Sequence, residues 1–171
     1  MGWRFCSLTK ALDVSRSNFD CGDEEINTYL RDLAVVAEEE GFSKAFLMLN
    51  ESNQDQIAGF YTLSNSSIPA QELPDEFMKG FIFPCPAILI GQFAIDKSFQ
   101  NQKLSNQLLW DVYRRIILLY KLDSAFRAIR VDTRNDLAKN FWLRQGFILF
   151  KKRKSSLFLP IQTLVRELEA E

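Results

Sequence analysis

The chain has 171 residues, a formal net charge of −1 and no histidine. Its length suits one domain, so we expect a single domain spanning residues 1–171. Hydrophobic residues at 47% and charged residues at 25% are typical of soluble globular proteins and exclude a disordered tail or a disulfide scaffold. The absence of histidine excludes Ser-His-Asp and Cys-His catalysis and every zinc site that needs an imidazole.

The cysteine pattern and the hydropathy indicate the compartment. Cys6, Cys21 and Cys85 are odd in number and widely spaced, which favours reduced thiols and argues against a structural metal. Apolar runs are broken well before the roughly 20 residues of a membrane helix, and no signal peptide is apparent at the start. We therefore expect a soluble, cytoplasmic protein with no metal.

The first third of the chain predicts a strand, a helix and a hairpin. Trp3–Leu8 is a short candidate strand. An apolar face at helical spacing then predicts an amphipathic helix ending near Gly41. Lys44–Leu49 and Ile57–Ser64 read as two strands joined by a polar turn. The apolar face of the helix consists of Ile26, Tyr29, Leu30, Leu33, Ala34 and Ala37.

The middle of the chain contains a long connection and a buried strand. Asn65–Pro86 is punctuated by four prolines and predicts an irregular segment, with a short helix around Leu73–Lys79. Ala87–Ile95 is apolar nearly throughout, as expected for a central strand. A helix follows, and Phe126–Val131 is the next candidate strand. The inner side of that helix is predicted to carry Leu108, Leu109, Val112, Ile116, Leu119 and Tyr120.

The last part predicts a helix over Asn135–Gln145 closed by Gly146, since glycine commonly follows a helix C-terminus. Strands at Phe147–Lys151 and Leu157–Leu159 follow, with a short helix after Thr163. These elements predict a single α/β domain with a mixed sheet.

One segment carries a chemical signal. A buried strand ends at Ile95, a polar loop follows, and an amphipathic helix begins near Leu104. Backbone N–H groups at a helix start have no partner within the helix and carry the positive end of its dipole. This arrangement is a potential phosphate site.

The same segment resembles the acyl-CoA loop of the GNAT superfamily of N-acetyltransferases, whose pattern is Gln/Arg-x-x-Gly-x-Gly/Ala after a strand. Phe19–Gly22, followed by Ile26, Asn27 and Leu30, is similar to the opening of small bacterial GNAT toxins. Gly59–Ser64 resembles the Gly-Tyr-Tyr-x-Leu-Ser strand of these toxins, and Asn135–Phe147 resembles their penultimate helix. The four segments occur in family order.

The resemblance implies a GNAT-like α/β (α+β) fold with a mixed, mainly antiparallel central sheet and helices on both faces. In this fold, Ala87–Ile95 and Phe126–Val131 should be neighbouring parallel strands. The resemblance also implies an acetyl-CoA-dependent transfer of acetyl to an amine, in the toxins that of aminoacyl-tRNA. In family terms, the strand residues Phe93, Ala94 and Ile95 bind the pantetheine arm through their backbone. Asn135 and Phe141 belong to the same implied cofactor site. The residues implied to hold the pyrophosphate are Gln100, Asn101, Gln102, Lys103, Leu104 and Ser105.

The loop departs from the family pattern at its glycines. Lys103 and Ser105 replace the two motif glycines, and Asn101 replaces a further glycine common among the toxins. Glycine serves there because the backbone approaches phosphate closely and can need a positive φ. Asn tolerates left-handed geometry and Ser is small, whereas the Lys103 stem crowds the loop unless its ammonium turns toward the anion.

The second departure concerns the acid. Phe141-Trp142 stands where the family has Phe-Tyr, so Trp142 occupies the catalytic position that the resemblance implies. Its indole N–H can offer a hydrogen bond to a thiolate but cannot protonate it as a phenol can. Tyr61 and Ser64 are the substitute hydroxyls, although Trp142 and Tyr61 also suit a packed core. Both departures predict weakened activity. The alternative is a catalytically inactive pseudoenzyme that acts as a binding or regulatory module.

A basic cluster in the second half of the chain stands out against the balanced net charge. It could bind tRNA phosphates, an acidic partner or the 3′-phosphate of CoA, or form a solvated face. The resemblance also implies a homodimer and an antitoxin partner, for which Phe77, Phe81 and Phe83 offer an apolar contact or a lid. The basic cluster consists of Arg127, Arg130, Arg134, Lys139, Arg144, Lys151, Lys152, Arg153 and Lys154.

Overall fold

The computed structural model describes residues 2–8 and 13–170. The strands are β1 (Trp3–Ser7), β2 (Lys44–Asn50), β3 (Asn53–Ile68), β4 (Cys85–Ile95), β5 (Ala128–Asp132), β6 (Ile148–Leu149) and β7 (Ser156–Pro160). The α-helices are α1 (Glu24–Thr28), α2 (Ala34–Glu39), α3 (Asp75–Met78), α4 (Leu104–Lys121), α5 (Asp136–Arg144) and α6 (Ile161–Glu169).

The strands form a seven-stranded sheet in the order β1-β2-β3-β4-β5-β7-β6. The pairs β1–β2, β2–β3, β5–β7 and β6–β7 are antiparallel. β4 and β5 pair in parallel, with Ala87–Ile90 opposite Ala128–Val131, and β4 runs on to Ile95. This confirms the mixed, mainly antiparallel sheet and the prediction that these two strands are neighbours.

Contacts along the chain define two compact units. The first contains Met1–Ser64 and Gly91–Arg114, and the second contains Asn65–Ile90 and Arg115–Glu171. A single domain over residues 1–171 stays a prediction. No helix among the described residues is both long enough and apolar enough to span a bilayer.

In the first unit, the predicted helix begins at Glu24, where the Asp23 side chain accepts a hydrogen bond from the Glu25 N–H. A π-helical turn at Tyr29–Leu33 joins α1 to α2. Leu30 packs in the core as predicted, but Leu33 is 52% exposed. The prediction for Leu33 was wrong because a π turn uses i→i+5 bonds, which rotate the following residues off the expected face.

In the second unit, the connection over 65–86 is more regular than predicted. β3 continues to Ile68, a 3₁₀ turn covers Ala70–Glu72, and β4 begins at Cys85. The short helix is present as α3, and residues before and after it pack on Phe150 and Phe158 of the core.

In α4, Leu108, Val112 and Ile116 are buried as predicted, whereas Leu119 is exposed.

Candidate functional site

The loop between β4 and α4 has glycine-type backbone without glycine. Asn101 has φ 66° and Lys103 has φ 60°, both left-handed, and α4 begins at the next residue, Leu104. Such a conformation costs an L-residue about 1–2 kcal/mol, with Asn the most tolerant after glycine. Ser105 lies within the helix. Two of the three replaced positions therefore keep a left-handed backbone, for which glycine is the least strained residue.

Side chains around this loop differ in what they can offer a ligand. Gln100 donates two hydrogen bonds through Nε2, one to the carbonyl oxygen of Cys21 and one to that of Ile95, both at 3.0 Å. Its amide therefore holds the loop to the end of β4. Asn101, Gln102 and Lys103 are exposed, so the Lys103 ammonium is accessible to an anion.

An N-terminal turn, residues 19–23, anchors the same loop. The Asp96 carboxylate accepts hydrogen bonds from the N–H groups of Asp20, at 2.9 Å, and Ser98, at 2.8 Å. The Asp20 carboxylate accepts from Lys97 Nζ at 2.7 Å and from Asn27 Nδ2 at 2.9 Å. The hydrogen bond from Lys97, followed by those from Gly22 and Asn27, lowers the pKa of Asp20 to about 2. The sequence did not reveal the role of Asp96 or that of Asn27, although Asn27 belongs to the segment that resembles the opening of the GNAT toxins.

β4 contains a close approach that the sequence did not reveal. Thr62 Oγ1 accepts a hydrogen bond from the Gln92 N–H at 2.8 Å. A Cβ placed on Gly91 would lie 2.8 Å from the same oxygen, so only glycine fits without movement. Farther along β4, Phe93 and Ile95 are half-buried and Ala94 is buried. Their backbone contact with pantetheine stays a prediction.

The two substitute hydroxyls have different surroundings. Tyr61 is fully buried, stacks on Phe46 with ring centroids 5.1 Å apart, and donates to Asp111 Oδ2 at 2.7 Å. Asp111 also accepts from Arg114 at 2.7 Å. This geometry favours the packing role for Tyr61. Ser64 is half-buried, three residues farther along β3, and alternation along a strand directs it to the other face. Ser64, unlike Tyr61, is not fully buried, and its predicted role stays a prediction.

In the second unit, the α5 residues pack and cap. Trp142 is 6% exposed and makes edge contacts with Phe141 and Phe147, at centroid distances of 5.0 and 4.9 Å. Asn135 Oδ1 accepts from the Ala138 N–H at 2.8 Å and so caps the helix. These contacts favour structural roles for Trp142 and Asn135. Their predicted roles in catalysis and cofactor binding stay predictions.

Two arginines of the basic cluster make contacts within the second unit. Arg127 lies 4.6 Å from the centre of the Phe77 ring and donates to the Phe77 carbonyl oxygen. Arg130 donates to the Ser67 carbonyl oxygen at 2.7 Å and pairs with Asp132 at 3.1 Å. These two arginines therefore make contacts within the second unit, and binding of nucleic acid by the cluster stays a prediction.

The predicted apolar contact is smaller than expected. Phe77 is covered by Arg127 and packs against Phe158. Phe81 and Phe83 are 57% and 58% exposed and contact each other at 5.1 Å, with the exposed Ile82 between them. The described residues contain no group of three or more Cys, Asp or Glu that could hold a metal ion.

Comparison with known proteins gives the site a context. No protein-family model matches the chain. The chain is 28% identical over 141 residues to the tRNA-acetylating toxin of Mycobacterium tuberculosis, an alignment that covers 82% of this chain and 81% of the toxin.

Several solved structures have the same fold as this chain. A Tyr-to-Phe mutant of KacT superposes with a TM-score of 0.88 at 25% identity, covering 98% of this chain and 99% of KacT. AtaT in complex with acetyl-methionyl-tRNAfMet superposes with a TM-score of 0.86 at 24% identity and the same coverage. A Tyr-to-Phe mutant of AtaT bound to the C-terminus of the antitoxin AtaR and acetyl-CoA has a TM-score of 0.81 at 23% identity, covering 97% and 98%. These matches confirm the resemblance to the GNAT toxins and the fold it implies.

Proposed function

We propose that the protein is an acetyl-CoA-dependent N-acetyltransferase that acetylates the amine of an aminoacyl-tRNA and acts as a toxin. The observation that carries the proposal is the left-handed backbone of Asn101 and Lys103 directly before α4. Glycine would avoid the steric strain that a Cβ causes at these positions. A loop that keeps this backbone with Asn and Lys in place supports a loop shape that serves a ligand.

The residues of this loop fit the phosphates of CoA. The first turn of the 18-residue helix α4 supplies N–H groups with no partner within the helix, and the Lys103 ammonium adds a positive charge beside them. Asp20, Lys97, Asp96 and Gln100 hold the loop to its neighbours. Acetyl-CoA supplies the acetyl group as a thioester.

The reaction forms one bond and breaks one. The neutral amine attacks the thioester carbonyl carbon, a C–N bond forms, the C–S bond breaks, and CoA leaves as a thiolate. The amine loses a proton to water. The thiolate takes up a proton from water, either directly or through the Ser64 hydroxyl, which regains its own proton from the solvent. A positioned acid contributes about 10²–10⁴-fold, so an enzyme with Trp142 in place of tyrosine should turn over slowly.

A second candidate is an inactive binding module, and Trp142 is the observation that favours it. Its burial between Phe141 and Phe147 suits a packed core in place of an acid. The enzyme and the module make different predictions for the transfer step and the same prediction for the fold.

The partners follow from the same relatives. We propose that tRNA binds through the surface cations of the second unit, and that an antitoxin protein binds and neutralises the toxin. A homodimer, with Phe81–Phe83 as the apolar contact, belongs to the same proposal. A sedimentation mass that stays at that of one chain as the protein concentration rises would exclude the dimer.

Isothermal titration with acetyl-CoA tests whether the loop between β4 and α4 binds the phosphates of CoA. We expect micromolar binding to the protein, and weaker binding of dephospho-CoA if the 3′-phosphate also meets a cation. Pantetheine, which lacks the pyrophosphate, is the control and should bind far more weakly. Equal affinities for CoA and pantetheine would show that the loop does not bind the phosphates. No detectable heat with acetyl-CoA, dephospho-CoA or pantetheine would refute the acetyltransferase.

A further inference from the structure

The loop between β6 and β7 presents four consecutive cations, Lys151–Lys154, on a backbone held by one buried carboxylate. Glu72, only 7% exposed, accepts hydrogen bonds from the N–H of Lys152 through Oε1 at 3.2 Å and from the N–H of Arg153 through Oε2 at 2.9 Å. Its own carbonyl oxygen accepts from the N–H of Lys151 at 3.0 Å. Glu72 therefore determines the shape of this loop.

The loop is closed on its other side by β7. The Arg153 carbonyl oxygen accepts from the Ser156 N–H at 3.1 Å, and the Ser156 carbonyl oxygen accepts from the Phe150 N–H at 3.0 Å. A buried carboxylate is costly without partners, and here both oxygens are used by consecutive amides. The loop backbone is therefore held by hydrogen bonds on both sides. Because the amides of Lys151 and Lys152 donate to Glu72, they are not available to extend β6 beyond Leu149.

The four cations differ in what their side chains contact. Lys151 Nζ pairs with Asp75 at 3.5 Å, and Lys154 Nζ donates to the Phe150 carbonyl oxygen at 3.2 Å. Lys152 and Arg153 are exposed, and in the part of the chain that the structure describes their side chains make no hydrogen bond or ion pair. Two cations at the centre of the loop are thus available to a partner.

We propose that Lys152 and Arg153 bind backbone phosphates of the RNA substrate, and that Glu72 is the positioning residue that presents them. The inference rests on the proposed function, since it names part of the surface that holds tRNA. Arg can bind a phosphate through two parallel N–H donors and Lys binds as a point charge, so adjacent Lys and Arg suit successive phosphates. Because Glu72 fixes the backbone, fewer degrees of freedom are lost when the phosphates bind.

The first test is fluorescence anisotropy with uncharged tRNA over a range of salt concentrations. The double variant K152A/R153A should bind about tenfold or more weakly near 0.1 M salt, and its slope of log affinity against log salt should fall by about 1.4–1.8. The control K151A/K154A removes the same charge and should change the slope much less. Equal effects of the two double variants would overturn the assignment.

The second test uses the sign of the change at Glu72. Glu72→Ala removes a negative charge beside the cations, so a purely electrostatic role predicts tighter tRNA binding. Positioning predicts weaker binding, partly restored in Glu72→Gln, which keeps one acceptor oxygen. Circular dichroism and thermal melting identify variants that fail to fold, and the Gln variant then decides. Tighter or unchanged binding in a folded variant would overturn the role of Glu72.

The parent protein separates this inference from the proposed function. If it acetylates aminoacyl-tRNA while K152A/R153A binds tRNA unchanged, the loop assignment fails and the function stands. If the parent binds no tRNA, both fail. Displacement of tRNA by poly-glutamate as readily as by poly-uridylate would indicate a site for acidic protein and would overturn the RNA assignment.

Discussion

Replacing Lys103 by glycine should stabilise the protein, although it removes a side chain. Lys103 has φ 60°, where a residue with a Cβ is strained by about 1–2 kcal/mol. Glycine loses about 0.5–1 kcal/mol more in backbone entropy on folding, which leaves a net gain of about 0.75 kcal/mol at the midpoint of a range of about 0–1.5 kcal/mol. For a chain of this length the melting temperature should rise by about 1–4 °C.

The chain offers a matched control at Lys79. This residue is exposed, has φ 54° and lies at the C-terminus of α3 in the second unit. Lys79→Gly should give a similar gain in melting temperature without changing the affinity for acetyl-CoA. Lys103→Ala keeps the Cβ and should give no gain. A lower melting temperature for Lys103→Gly than for Lys103→Ala would refute the strain argument.

The affinities for acetyl-CoA then separate a rebuilt phosphate site from a blocked one. If the Lys103 ammonium contacts the pyrophosphate, its loss in Lys103→Ala removes a charge-assisted contact worth about 1.5–3 kcal/mol, and binding should weaken about tenfold or more. Lys103→Gly should recover part of that loss, since the backbone can approach phosphate more closely. Tighter binding in both variants, with glycine the tighter, would mean that Lys103 blocks the site. Three equal affinities would refute both explanations.

Three other changes test particular contacts. Tyr61→Phe removes a donor to the buried Asp111 and should lower the free energy of unfolding by about 1–3 kcal/mol in urea titration, while kcat stays unchanged; a large loss of kcat with little loss of stability would restore Tyr61 as the acid. The folded-state pKa of Asp20 is lowered to about 2, so its stabilisation is present above the unfolded pKa near 3.9 and is lost as the pH falls toward 2. The difference in melting temperature between the parent and Asp20→Asn should therefore be constant from pH 5 to 8 and should shrink as the pH falls below 4. A difference that grows on acidification would contradict this. Trp142→Tyr should raise kcat toward the 10²–10⁴-fold limit of an acid and Trp142→Phe should not, with equal rates in the two variants as the contrary result.

Local patterns in the sequence predicted most of the elements and failed where a distant contact decides the structure. The hairpin, the central strand and α5 follow from alternation, apolar runs and a glycine with positive φ at Gly146. Strand Phe147–Lys151 was predicted too long because Glu72, 80 positions from Lys152, takes amides that a longer strand would use. No periodicity contains that information.

The candidate site shows the same division. The loop and the reason for its glycines were readable because strand, loop and helix are consecutive, and the left-handed φ at Asn101 and Lys103 agrees with that reason. The hydrogen bond of the Tyr61 hydroxyl could not be predicted from the sequence, because its acceptor Asp111 lies 50 positions away. Asp96 was likewise missed because the amide it accepts from is 76 positions away, at Asp20.

Transfer of labelled acetyl from acetyl-CoA to a mixture of aminoacyl-tRNAs tests the central proposal most directly. The proposal predicts label on the α-amine of at least one aminoacyl-tRNA. Uncharged tRNA and formyl-methionyl-tRNA, in which the amine is absent or blocked, should take up none. Binding of acetyl-CoA without label on any aminoacyl-tRNA would contradict the enzyme and indicate the inactive binding module.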